Sequence, residues 1–141
     1  MINQDEAKKL KRIRFEQRFS NFEKAYMRLM EFLKEDTEHD VVSRTALVHA
    51  FEFTFELSWK AMKDLLEWKD GIEVSGPSTV LQEAYEQKYF KDTGIWAAAL
   101  DMRNNASHIY NEEVAVEVEK FIRVQFKPLV SDLYGFFKKY L

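Results

Sequence analysis

The 141-residue chain has no cysteine, only two prolines and four glycines, and no long uninterrupted apolar run. Without cysteine there is no disulfide framework, thiolate zinc site or thiol nucleophile, and the composition fits a reducing compartment. The apolar runs are too short to span a bilayer and Met1 to Leu10 is polar, so no membrane association is expected and cytoplasmic is the default location. Sparse proline and glycine leave little to interrupt regular structure, which favours long helices joined by short turns. Hydrophobic residues make up 46% of the chain and twelve residues are phenylalanine, which excludes a disordered chain of low hydrophobicity and high charge. A chain of this length buries about two thirds of its unfolded surface, so one core suffices without a disulfide or metal.

Twenty-one Lys and Arg stand against 24 Asp and Glu, and a net charge of −3 gives no overall electrostatic drive toward nucleic acid. The distribution is uneven. Lys8, Lys9, Lys11, Arg12, Arg14 and Arg18 place six cations near the start, and Glu31, Glu35, Asp36, Glu38 and Asp40 form an acidic stretch after them. Solvated helix faces account for both runs.

Periodicity defines the elements. Phe15, Phe19, Phe22, Tyr26, Leu29 and Leu33 recur at intervals of three and four and predict a helix over residues 5 to 35. Phe51, Phe53, Phe55, Leu57 and Trp59 alternate like a strand, yet no Gly or Pro falls between Val41 and Trp68. That stretch reads as a helix over residues 41 to 69, capped by Asp40 and stopped at Gly71. Val48, Phe51, Phe55, Met62 and Leu65 form one apolar stripe, and Ala50, Phe53, Leu57 and Ala61 form a second. A helix covered on two sides is either central to its bundle or shared with a second protomer. A shorter helix is expected from Pro77 to Tyr89, and a fourth, capped by Asp92, carries Ile95, Trp96, Ala99, Leu100 and Arg103. A fifth runs from about 112 to 140, with Asn111 as cap, Glu112 and Glu113 at its positive end, and a kink or break near 124 to 128 caused by Pro128. With no repeat and no linker, residues 1 to 141 form one all-α domain, a four-helix up-and-down-type bundle with about five helices in total. The two-striped helix and the aromatic excess favour a dimer.

No P-loop, dinucleotide glycine fingerprint, HExxH or EF-hand pattern is present, and neither a metal site nor a cofactor is expected. The polar-dense stretch Asp101 to Glu113 stands out. On a continuing helix, Arg103, Ser107 and Tyr110 share a face, and Asn104 and His108 lie on the adjacent stripe. Arginine offers a planar fork for phosphate oxygens and histidine exchanges a proton near neutral pH. Arg103 and His108 stand about 140° apart around an ideal helix, so they converge on one ligand only through side-chain reach, a helix end or a second protomer. An Asn-rich helix C-terminus with a histidine at the negative dipole end is the competing account of the same residues. Glu52 and Glu56, with Lys60 one turn on, read either as a paired-carboxylate site or as a polar seam; the seam pairs Glu56 with Lys60, or the glutamates with arginines of another helix.

Three segments carry a resemblance: Arg14-Phe-Glu-Gln-Arg18-Phe-Ser-Asn-Phe22, Phe51-Glu-Phe-Thr-Phe-Glu-Leu-Ser-Trp-Lys60, and Arg103-Asn-Asn-Ala-Ser-His-Ile-Tyr-Asn-Glu-Glu113. In this order they resemble the nucleotidyltransferase substrate-binding protein family, within the HEPN group of small helical domains, over nearly the whole chain. The resemblance implies a helical homodimer encoded beside a minimal nucleotidyltransferase, its partner, with a nucleotide or RNA as ligand. It implies a role in binding substrate or presenting a tyrosine for AMP addition in a toxin-antitoxin-type pair, or, as the alternative, a metal-independent endoribonuclease toxin. It assigns Arg103 and His108 to the active cleft at the dimer interface, with Asn104 as the polar residue after the arginine. Tyr110 becomes the modification site. Ser107, on the Arg103 face, joins Asn104 as a substrate-binding candidate.

Overall fold

A computed structural model describes residues 1–106 and 112–141, and among these every regular element is helical. Helix α1 spans Gln4–Phe32. The Asn3 side chain caps it by accepting the Glu6 N–H at 2.8 Å, and Asp5 and Glu6 sit at the positive end of its dipole. Phe15, Phe19, Phe22 and Leu29 are buried as their spacing predicts. Tyr26 is half-buried, with its hydroxyl donating to Ser131 Oγ at 3.0 Å. The helix stops short of residue 35 because a long-range partner intervenes. The Arg123 guanidinium takes the Leu33 and Glu35 carbonyls at 2.9 and 3.0 Å, which ties the chain end of α1 to a distant helix.

Helix α2 spans Val41–Leu65. The Asp40 carboxylate accepts from Val42 N–H at 3.0 Å and from Ser43 Oγ at 2.7 Å. A π-helical turn, Leu66–Asp70, continues it to Gly71, whose φ of +66° ends the rod. α2 is the central helix, packed along α1 and also touching α3, α4 and α5. The stripe Val48, Phe51, Phe55, Met62 and Leu65 is buried throughout. Each fully buried Phe on it contributes about 1.5–3 kcal/mol relative to an exposed one. The second stripe departs from expectation at one position. Ala50, Leu57 and Ala61 are buried, but Phe53 is 62% exposed.

Helix α3 spans Pro77–Glu86 with proline in its first turn. It ends before Tyr89 because Lys88 takes φ +65° and the Lys88 and Tyr89 N–H groups bond back to the Tyr85 and Ala84 carbonyls at 2.9 Å each. This is a Schellman stop with lysine where glycine is usual. Helix α4 spans Thr93–Ala106, and Asp92 Oδ1 accepts the Ile95 N–H at 2.9 Å as a cap should.

The last rod comprises α5 (Glu112–Phe121), a π-helical turn (Ile122–Phe126) and α6 (Lys127–Lys138). Pro128 has no N–H to offer the Val124 carbonyl, and the wider turn directly before it absorbs the missing bond. Phe126 in that turn packs edge-on against Phe51 at 4.8 Å and Trp96 at 6.1 Å. The expected kink region is thus a π turn that seats an aromatic in the core. Asn111, the expected cap of this rod, lies outside the described residues.

Counting the π turns with the helices they extend, five rods form the bundle among the described residues, α3 being the shortest. None is long and apolar enough to cross a membrane.

Candidate functional site

Three charged clusters stand out among the described residues, and their saturation separates them. The first is the N-terminal basic run. Arg14 pairs with Glu67 at 3.4 Å, Arg18 with Asp64 at 3.0 Å, Lys11 with Glu73 at 3.8 Å and Arg12 with Glu16 at 2.9 Å. Burial pushes the Asp64 carboxyl up, and the neighbouring Arg18 opposes that. Asp64, about 12 Å along the α2 axis from Glu56, and Glu67 beyond it thus neutralise Arg18 and Arg14 of this run.

The second cluster is a buried knot that the periodicity did not reveal. Arg44, at the start of α2, is 6% exposed. It donates to Glu119 at 2.8 Å, to Glu112 at 2.8 Å and to the Glu38 carbonyl at 2.5 Å. Glu119 also accepts from Thr37 and, at 3.4 Å, from Arg123, which in turn donates to Thr37 Oγ1 at 2.6 Å. Burial by itself would raise the Glu119 pKa, but the bonds from Thr37, Arg44 and Arg123 outweigh it and hold the carboxyl below its ordinary value. The knot fixes the α1–α2 connection against α5. A signal existed in the sequence: Arg44 occupies the stripe continued by Leu47, Val48 and Phe51, where a lone arginine demands buried acceptors.

The third cluster is open. Arg103, in the last turn of α4, donates from Nη2 to Glu56 Oε2 at 2.5 Å and from Nη1 to Asn104 Oδ1 at 3.1 Å. Glu56 also accepts from Trp59 Nε1 at 3.2 Å, and Lys60 Nζ lies 3.5 Å from its other oxygen. Both expected seams for Glu56 are present, to Lys60 along the helix and to an arginine of another helix. The pair borders a shallow depression of about 330 Å³ lined by His49, Glu52, Phe53, Glu56 and Arg103. The Arg103 and Glu56 side chains keep 31% and 28% of their surface exposed. An arginine has five N–H donors, and the two bonds above occupy two of them. The guanidinium is thus held in place yet still able to meet an anion.

Arg103 is half-buried and Asn104 exposed. Ser107, His108 and Tyr110, with which Arg103 was expected to converge, lie outside the described residues. Among the described residues no group of three or more His, Asp and Glu is gathered as metal ligands. Phe53 beside Arg103 was expected inside an apolar stripe; a surface phenylalanine in a depression of charged groups is what the structure adds.

A helical bundle with a central Glu-bearing helix and an arginine presented from the end of α4 makes this a small all-α domain. The chain belongs to the family described as nucleotidyltransferase substrate binding protein like, whose model matches residues 17–139. It is 37% identical over 90 residues to a Haemophilus influenzae protein named probable ribonuclease HepT. That match covers 59% of this chain and 62% of the relative's own length. Among solved structures, a Thermus thermophilus protein superposes with a TM-score of 0.73 at 30% identity, covering 81% of this chain and 96% of that one. A Haemophilus influenzae protein, reported to reveal the fold of a substrate binding domain of a nucleotidyltransferase, superposes with a TM-score of 0.59 at 26% identity, covering 90% and 98%.

Proposed function

We propose that this chain is the substrate-binding partner of a minimal nucleotidyltransferase encoded nearby, that it works as a homodimer in a toxin-antitoxin-type pair, and that the Arg103 face receives its ligand. The observation that carries this reading is the Glu56–Arg103 pair. Glu56 and Asn104 orient the guanidinium at the edge of an open depression, within a chain whose family is defined by substrate binding. Asn104 and Ser107 contact the ligand, which is a nucleotide or RNA. Tyr110 is the residue presented for AMP addition. Its phenolic oxygen would attack the α-phosphorus of ATP, the bond to the β-phosphate oxygen breaks, pyrophosphate leaves, and the phenolic proton passes to solvent or a base.

A second reading is supported by the relative named a probable ribonuclease. In it, Arg103 and His108 cleave RNA without a metal. His108 takes the proton of a ribose 2′-hydroxyl, the oxygen attacks the adjacent phosphorus, and Arg103 stabilises the charge that develops. The 5′-oxygen leaves with a proton supplied by the partner protomer's copy of the histidine, giving a 2′,3′-cyclic phosphate.

One experiment addresses both. Purified wild type and His108→Ala are incubated with RNA without added metal, and the intact mass of each is recorded after exposure to ATP and the cognate nucleotidyltransferase. A complex with the nucleotidyltransferase and an AMP adduct on Tyr110 supports the partner role. Cleavage lost in His108→Ala establishes the ribonuclease reading within it. Absence of complex, adduct and cleavage together refutes both.

A further inference from the structure

A second cavity lies between α3 and α4, and the last α4 residue that lines it, Leu100, stands one turn before Arg103. It holds about 260 Å³, below the range of pockets that take drug-sized ligands and suited to one ring system. Its aromatic wall is continuous: Tyr85 and Phe90 rings stand 6.2 Å apart, and Phe90 and Trp96 rings 5.5 Å apart. Leu100 and the small, exposed Ala97 line it from α4, and Gln82 lines it from α3. Trp96 is 1% exposed, and its Nε1 is buried without a hydrogen-bond partner among the described residues.

The register on α4 links this cavity to the Arg103 site. At 3.6 residues per turn Trp96, Leu100 and Arg103 share one stripe, with Arg103 about 4.5 Å beyond Leu100 and about 10 Å beyond Trp96 along the axis. A planar ring in the cavity and an anionic group at Arg103 are therefore one ligand's length apart. Aromatic walls take any base face, and a glutamine amide matches the donor and acceptor of an adenine edge.

We infer that the α3–α4 cavity is a nucleobase subsite: it receives the adenine ring of a nucleotide whose phosphate meets Arg103, with Gln82 at the base edge. This rests on the reading of Arg103 as the ligand-binding arginine.

Calorimetric titration of the full chain with AMP and with ribose 5-phosphate tests it, using wild type, Ala97→Phe, Gln82→Ala and Arg103→Ala. Ala97 and Gln82 are exposed, so both variants should fold, and a thermal melt checks this. Filling the cavity with Ala97→Phe is expected to weaken AMP at least about tenfold, the scale of one lost base stack, while ribose 5-phosphate is unchanged. Gln82→Ala should weaken AMP by a smaller factor, and Arg103→Ala should weaken both ligands. AMP affinity untouched by Ala97→Phe and Gln82→Ala, but lowered by Arg103→Ala, overturns the base subsite and leaves the Arg103 reading standing. Wild type that binds no AMP at millimolar concentration also overturns the subsite. Loss of AMP in Ala97→Phe with none in Arg103→Ala overturns the two-part site through its phosphate half.

Discussion

Among the arginine–glutamate sites that join distant parts of this bundle, Arg44–Glu119 and Arg103–Glu56 are built oppositely. Arg44 and Glu119 are sealed in the interior, and each is shared among several polar neighbours from three parts of the chain. Arg103 and Glu56 meet at the rim of a depression, partly wet, beside an exposed phenylalanine. A saturated, buried pair has no capacity for a ligand and acts on the fold. An open pair with donors to spare contributes little to the fold and is available for chemistry.

The largest expected effect lies in the buried knot. Arg44→Ala leaves Glu119 buried without its main cation and should cost about 3–5 kcal/mol in urea unfolding. Arg103→Ala should cost no more than about 1 kcal/mol, as partly exposed pairs do. Comparable losses for the two variants would erase the distinction. Double-mutant cycles sharpen it: the Arg44/Glu119 coupling energy should exceed the Arg103/Glu56 coupling by at least about 1 kcal/mol.

Acid should find the knot too. Because Glu119 titrates below its ordinary value when folded, the unfolded chain binds that proton first, so its contribution is present at neutral pH and is lost as pH falls through the folded pKa. Melting curves of wild type and Glu119→Gln should differ most near neutrality and converge as the pH falls below the ordinary glutamate range and through the lowered folded pKa. A gap that widens on acidification would reverse the sign assigned here. The smallest effect belongs to Lys60→Met, which removes a 3.5 Å partner of Glu56 and should change stability by less than about 0.5 kcal/mol.

Much of the fold was legible because it is written in local periodicity and in caps. Asp40, Asp92, Pro77 and Gly71 mark element ends through chemistry confined to a few neighbouring residues, and the Phe15 to Leu29 seam needs only helical spacing. What failed was decided at long range. The early end of α1 depends on Arg123, some 90 residues away. Arg44 finds Glu119 75 residues on, and spacing cannot reveal such a pair. Phe53 sits at a position its helix marks as apolar, and only the arrangement of neighbouring helices leaves it uncovered. Of the site, Glu56–Lys60 was legible as an i,i+4 pair, and an arginine of another helix was anticipated as a partner without being identified as Arg103.

The most direct test of the account is a single comparison of Arg103→Ala with wild type, in which the thermal midpoint, RNA cleavage and AMP acceptance from the cognate nucleotidyltransferase are read on the same preparations. The account predicts a nearly unchanged midpoint with loss of whichever activity the wild type shows. Full activity in Arg103→Ala, or a collapse of its stability to the level of Arg44→Ala, would contradict it.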